Sequence, residues 1–271
     1  MLRSITDLTG YAIRATDGPI GHVKDLYFDD RAWVARYLIV DTGSWLSSRQ
    51  VLISPMAIEP SIWDDRILNV SITREQVRNS PDIDTDKPVS RQHEMEYLGY
   101  YGYPYYWGGA GFWGAGVYPS MGLMGAAPAD PARTEREVAE HRNDDPHLRS
   151  SKAVIGYHIE ASDGGIGHVQ GLLLDEDTWA IRYLIADTSN WWLGHQVLIA
   201  PRWVQNVSWP DNIVTVDLTR QAVKGAPPYD SAATLERAAE IDLHKHHERA
   251  GYWSDEVLLE NPQYRAIKPA A

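Results

Sequence analysis

Histidines and carboxylates in recurring contexts are the residues of this chain best equipped for chemistry. His22 and His168 each follow a glycine in the phrase IGHV, and Asp17, Asp41, Asp163 and Asp187 occupy matching positions further along. Imidazole titrates near neutrality, and paired carboxylates can divide acid and base roles. No nucleophile accompanies them, however, and no serine elbow or phosphate-cradling glycine loop is present. The bland readings carry more weight. Each histidine lies at a strand position and is expected to be a hydrogen-bonded structural residue. Asp17 and Asp163 precede turn glycines, and Asp41 and Asp187 end strands beside Thr42 and Thr188, where an Asx-type turn needs a side-chain acceptor. No catalytic residue is assigned.

Metal chemistry has one candidate set. Glu240, His244 and His247 share a helix face at i, i+4 and i+7, with His246 between them. Against it, Lys245 and Arg249 are interleaved, and histidines near a helix C-terminus suit its dipole without any ion. No metal or cofactor is therefore expected.

The elements that must position these residues follow from a repeat. Gly10 to Pro81 aligns without a gap with Gly156 to Pro227, at an offset of 146 residues and roughly half identical. GYAIRATDGPIGHV answers GYHIEASDGGIGHV, WVARYLIVDT answers WAIRYLIADT, and QVLISP answers QVLIAP. Val34–Asp41 and Ala180–Asp187 are crowded with β-branched and aromatic residues and predict central strands. Asp17-Gly18 and Asp163-Gly164 predict hairpin turns, Asp29–Arg31 and Asp175–Asp177 second turns, and Gln50–Ile53 and Ile67–Ile72 further short strands. Thr73 with Gln76 has the form of a capping box, and Thr219 repeats the cap. Ser231–Ala250 predicts a helix ending at Gly251, with a shorter counterpart at Ser90–Leu98. Five or six short strands in each copy point to a small closed or nearly closed barrel.

Composition narrows the partners. Eleven Trp and fifteen Tyr against two Phe favour rings with a polar handle, which suit half-buried surfaces and contacts. A net charge of -12 argues against nucleic acid, and the absence of cysteine excludes disulfides and suits a reducing cytosol. The opening residues lack a secretory pattern, so a cytoplasmic location is expected. Tyr97 to Ala129 has no charge and is loaded with Gly, Tyr and Trp. It reads as a linker whose prolines and glycines oppose a membrane helix, while its rings fit an interfacial contact peripheral to the inner membrane. A charged tether, Asp130 to Asp145, follows. Trp33, Trp45 and Trp63 recur as Trp179, Trp191 and Trp209, and Trp45 and Trp191 stand in polar loops.

The opening Gly10-Tyr11, the phrase Asp17 to Val23, the strand Arg36 to Asp41 and Val51 to Pro55, all repeated in the second copy, resemble the PRC-barrel family. This family includes the cytoplasmic domain of the H subunit of purple bacterial photosynthetic reaction centres and many stand-alone bacterial proteins. The resemblance implies a β-barrel used for protein–protein contact. The expected architecture is mainly β with accessory helices: two small PRC-barrel-like barrels in tandem, related by a pseudo-twofold axis. The expected domains are 1–96, a tract and linker at 97–150, and 151–271. The function expected is a non-enzymatic scaffold or adaptor of a bacterial cell, contacting a protein partner through Trp45, Trp191, Tyr105, Tyr106, Trp107 and Trp113. Alternatives are an accessory factor of a membrane-associated, photosynthetic-type complex and a metal-binding protein. A homo-oligomer is a further partner.

Overall fold

The computed structural model describes residues 1–59, 65–81, 89–107, 111–114, 116–120, 147–188 and 195–254. In the first copy the strands are β1 (Leu2–Ser4), β2 (Ala12–Ala15), β3 (Gly18–Asp29), β4 (Val34–Asp41), β5 (Gln50–Ile53) and β6 (Ile67–Asn69). Among the described residues three short α-helices accompany them, α1 (Ile5–Leu8), α2 (Arg74–Asn79) and α3 (Arg91–Tyr101). The second copy repeats the order with β7 (Leu148–Ser150), α4 (Ser151–Val154), β8 (His158–Ala161), β9 (Gly164–Asp175), β10 (Ile181–Asp187) and β11 (Gln196–Ile199). It continues with β12 (Val204–Ser208), β13 (Ile213–Val216), α5 (Arg220–Lys224) and α6 (Arg237–His246). The protein is mainly β.

Two sheets result. One has the order β5-β4-β3-β2-β6 with β7 also paired to β3, and the other the order β11-β10-β9-β8-β13-β12 with β1 also paired to β9. The pairs β2–β3, β3–β4, β4–β5, β8–β9, β10–β11 and β12–β13 are antiparallel, while β2 with β6 and β8 with β13 run parallel. Strand β4 is buried along all but its last residue, as its apolar run dictates, and Ile13, Ile20, Leu26 and Leu68 fill the interior with it. Gly18 and Gly164 adopt φ of 143° and 132°, the positive values the hairpin turns require.

The chain divides into two compact units. The first comprises Met1, Arg3–Ile155 and Gly171–Ile181; the second comprises Leu2, Gly156–Gln170 and Arg182–Ala271. The first unit thus incorporates residues 171–181 of the second copy. Within this unit Ala35 N donates to Trp179 O and Ile181 N to Trp33 O, at 2.8 and 2.7 Å. Two matched ion pairs are also internal to it: Arg3 Nε lies 2.6 Å from Glu176, and Arg149 Nε 2.8 Å from Asp30. These arginines belong to Leu2-Arg3-Ser4 and Leu148-Arg149-Ser150, so the repeat begins before Gly10.

Several boundaries differ from expectation. Strand β6 stops at Asn69, because the chain turns to set Ser71 N on Ala57 O and Thr73 as the cap of α2. Helix α6 begins only at Arg237, after a turn that Asp230 closes by accepting from Ala232 N at 2.9 Å, and it ends at His246 with His247 as its cap rather than at Gly251. Helix α3 runs past Gly99 to Tyr101, where Gly102 at φ 69° caps it. Among the described residues no helix is long and apolar enough to cross a membrane.

Candidate functional site

The open groove of the first unit is built from the end of β3's hairpin, the end of β4 and the start of α2. It has a volume of about 460 Å³ and is lined by Ile20, His22, Lys24, Asp41, Trp45 and Arg74 among others. Thr73 makes the expected capping box with Gln76, and Asp17 accepts from Arg74 N at 2.7 Å, so two anchors fix the start of α2. The guanidinium of Arg74 then lies 4.3 Å from the centre of the Trp45 ring, whose indole N–H donates to Ile20 O. Asp41 accepts from Gly43 N at 2.9 Å, the Asx turn its position predicts, and pairs with Lys24 at 3.5 Å. The Gly43 amide, more than Lys24, holds the Asp41 carboxyl below its usual range. Gly21 forms part of the wall, and a Cβ there would sit 1.9 Å from Asp41 O.

A second arrangement is closed and was not foreseen. In the first unit Glu94 is 0% exposed, and Oε1 accepts from Tyr37 at 3.1 Å and Tyr106 at 2.6 Å while Oε2 accepts from Arg91 at 2.8 Å. Arg36 lies 3.8 Å above the Tyr106 ring, pairs with Asp29 at 3.3 Å and donates to Phe112 O; Arg91 lies 4.2 Å from the Trp107 ring. Burial pushes the Glu94 carboxyl up to about 7, against the opposing pull of Arg91 and the two hydroxyls. In the second unit the same positions recur 146 residues on. Glu240 accepts from Tyr183 at 3.0 Å and pairs with Arg237 at 3.1 Å, and Arg182 lies 3.9 Å from the Tyr252 ring. Burial raises Glu240 as well. The signal was present in the sequence: Arg91-x-x-Glu94 with Tyr106-Trp107 matches Arg237-x-x-Glu240 with Tyr252-Trp253.

This arrangement redistributes the residues expected to make contacts or hold a metal. Tyr106 and Trp113 are buried, Tyr106 on Glu94 and Trp113 with its indole N–H on Thr178 O at 2.9 Å, so neither ring faces outward. Tyr105 and Trp107 are half-buried and stacked on each other at 4.7 Å. Trp45 is half-buried at the groove, while Trp191, Trp63 and the stretch 121–146 lie outside the described residues. Of the metal candidates, Glu240 and His244 both bond the Tyr183 hydroxyl, His244 Nε2 at 3.1 Å, and His247 sits 4.7 Å from the Trp203 ring. Burial lowers His244 and takes His247 down to about 4. Glu240 and His244 face an internal hydrogen-bond centre and His247 an indole ring, and among the described residues no group of three or more His, Cys, Asp or Glu could hold a metal. His168 approaches Asp187 to 3.8 Å, and His22 stands opposite Asp41 across β3 and β4.

Residues 2–75, which run from β1 to the first turn of α2 and supply the whole groove, match the family model of the PRC-barrel domain. The chain carries a PRC-barrel domain. The match spans all the strands of the first copy and the groove they frame. Glu94, Arg91 and Tyr106 lie beyond the PRC-barrel match, while Asp29, Arg36 and Tyr37 lie inside it. No curated protein matches the chain. A PRC-barrel domain points toward an interaction module.

Proposed function

We propose that this PRC-barrel protein is a non-enzymatic scaffold that binds a protein partner through the Trp45 groove. The observation that carries the reading is the contrast between that groove and every other polar set. The groove leaves an indole, a stacked guanidinium, a histidine and a lysine along an open wall, a mixed lining that fits a polar peptide segment. The carboxylates whose protonation is shifted upward, Glu94 and Glu240, are instead buried among tyrosines and arginines. A reducing, cytoplasmic setting fits the absence of cysteine.

The test is recovery of a partner from native lysate by the intact chain, followed by binding measurements with the purified pair. Trp45→Ala is expected to weaken the complex by ~2 kcal/mol, the loss typical of a central aromatic contact, and Glu94→Gln to leave it unchanged. Unaltered affinity in Trp45→Ala would remove the groove from the account. Sedimentation with membranes instead of a protein would favour the membrane-associated reading.

A further inference from the structure

The side chain of Arg74 is held in place yet lacks an anion. Its guanidinium lies 4.3 Å from the centre of the Trp45 ring, and that of Arg78, one turn further along α2, lies 5.9 Å from the same ring. The ring takes up one face of the Arg74 guanidinium, so the N–H groups around the edge keep their capacity to donate. Among the described residues those groups make no hydrogen bond and meet no carboxylate within ion-pair distance, and Nε is buried without a partner. The fold at the start of α2 does not depend on them, because Asp17 accepts from the Arg74 main-chain N–H at 2.7 Å and Thr73 forms the capping box with Gln76. A planar guanidinium held in one orientation, with donors to spare at its edge, is the group that recognises a carboxylate through two parallel hydrogen bonds.

The rest of the lining has the same sign. His22 and Lys24 stand exposed on β3, while Asp41 opposite them is already engaged, accepting from Gly43 N at 2.9 Å and pairing with Lys24 at 3.5 Å. The groove therefore offers cations to a ligand although the chain as a whole has a net charge of -12. Exposed charges beyond about 8 Å are largely screened at physiological ionic strength, so the lining and not the net charge decides what the groove accepts.

We propose that the Trp45 groove recognises an acidic segment of its protein partner, one carboxylate of which forks onto the Arg74 guanidinium while a neighbouring one meets Lys24 and His22. The inference rests on the reading of this groove as the contact surface and adds the chemistry of the partner. Pro19 and Trp45 supply an apolar wall for the segment, and the volume of about 460 Å³ lies within the roughly 300–1,000 Å³ typical of ligand clefts. A concave seat of this kind, with donors fixed for a planar carboxylate, suits a peptide better than the flat and diffuse charge of a lipid surface.

The experiment titrates the full chain with an acetylated and amidated hexapeptide of alternating glutamate and glycine. The readout is the NMR signal of the Trp45 indole N–H, assigned by its loss in Trp45→Phe. A saturable shift is expected, and the same peptide with glutamine in place of glutamate should bind roughly ten-fold more weakly, the loss typical of removing a charged hydrogen-bond partner. Arg74→Gln should weaken the glutamate peptide to the same degree, and Arg74→Lys by several-fold, because the fork is lost while the charge stays. Lys24→Gln, which installs the residue found at position 170 of the second copy, should weaken it by a few-fold. The glutamine peptide poses the question to the unaltered chain, so a misfolded variant cannot hide the answer. No shift with the glutamate peptide, equal binding of the glutamine peptide, an equal shift from inorganic phosphate or phosphatidylglycerol vesicles, or an undiminished response in Arg74→Gln would each overturn the proposal. A native partner weakened by Trp45→Ala but not by Arg74→Gln would overturn the acidic segment and leave the groove as the contact surface; one weakened by neither would remove both.

Discussion

Glu94 in the first unit and Glu240 in the second occupy equivalent places and hold equivalent arginine and tyrosine partners, yet their surroundings differ. Glu94 has two tyrosine hydroxyls and a buried arginine around it, with the Arg91 side chain 8% exposed. Around Glu240 the arginine is half exposed at 50%, and His244, in the place of Leu98, offers Tyr183 a second partner. Duplication has kept the buried carboxylate with its cation and phenols, and has varied how much the surroundings depend on it. A polar centre retained inside both copies while its periphery drifts is the behaviour of a structural core.

That contrast is sharpest on truncation. Glu94→Ala strands Arg91, Tyr37 and Tyr106 in a dry interior and is expected to cost ~3–5 kcal/mol in urea denaturation at pH 7. Glu240→Ala should cost about 1 kcal/mol less, because Arg237 reaches water and Tyr183 retains His244. Equal losses would mean that the surroundings do not matter. A smaller effect separates the two hairpins. Gly21→Ala drives a Cβ to 1.9 Å from Asp41 O, and Gly167→Ala does the same against Asp187 O. Gly167 adds a φ of 137°, so its alanine variant should lose ~3 kcal/mol or more in thermal unfolding and Gly21→Ala somewhat less. The smallest difference concerns the caps. Thr73→Ala should cost ~1 kcal/mol and Thr219→Ala a few tenths less, since Gln76 completes a capping box that Ala222 cannot.

The strands were legible wherever a single local force set them. Val34–Asp41 and Gln50–Ile53 coincide with β4 and β5, and the Asp41 turn and the Thr73 cap each depend on neighbours within a few residues. Less legible were features that depend on distant residues. Asp17 was read as turn chemistry, but its oxygen serves Arg74 N, 57 positions away. The strand Leu148–Ser150 has no alternating pattern of its own and exists by pairing with Tyr27–Asp29. The aromatic tract read as a contact surface because its composition is uncharged; Tyr106 and Trp113 turn inward because buried arginines from β4 and α3 need ring faces and a phenol beside them. The helix histidines shared a face, but that face is turned to Tyr183 and Trp203.

We propose that the buried carboxylates shared by the two copies, Glu94 and Glu240, serve to hold the interior together. The most direct test follows Glu94 itself. A buried carboxyl raised from 4.5 to about 7 binds its proton more tightly in the folded chain. Its contribution is fully present below the unfolded value and is lost as pH rises through about 7, a change of about 3 kcal/mol. In a carbon-13 NMR titration of side-chain carboxyls, one glutamate should titrate near neutrality, and that signal should vanish in Glu94→Gln while the fold and partner binding persist. Titration of every carboxyl near its ordinary value, or loss of partner binding in Glu94→Gln, would contradict the claim.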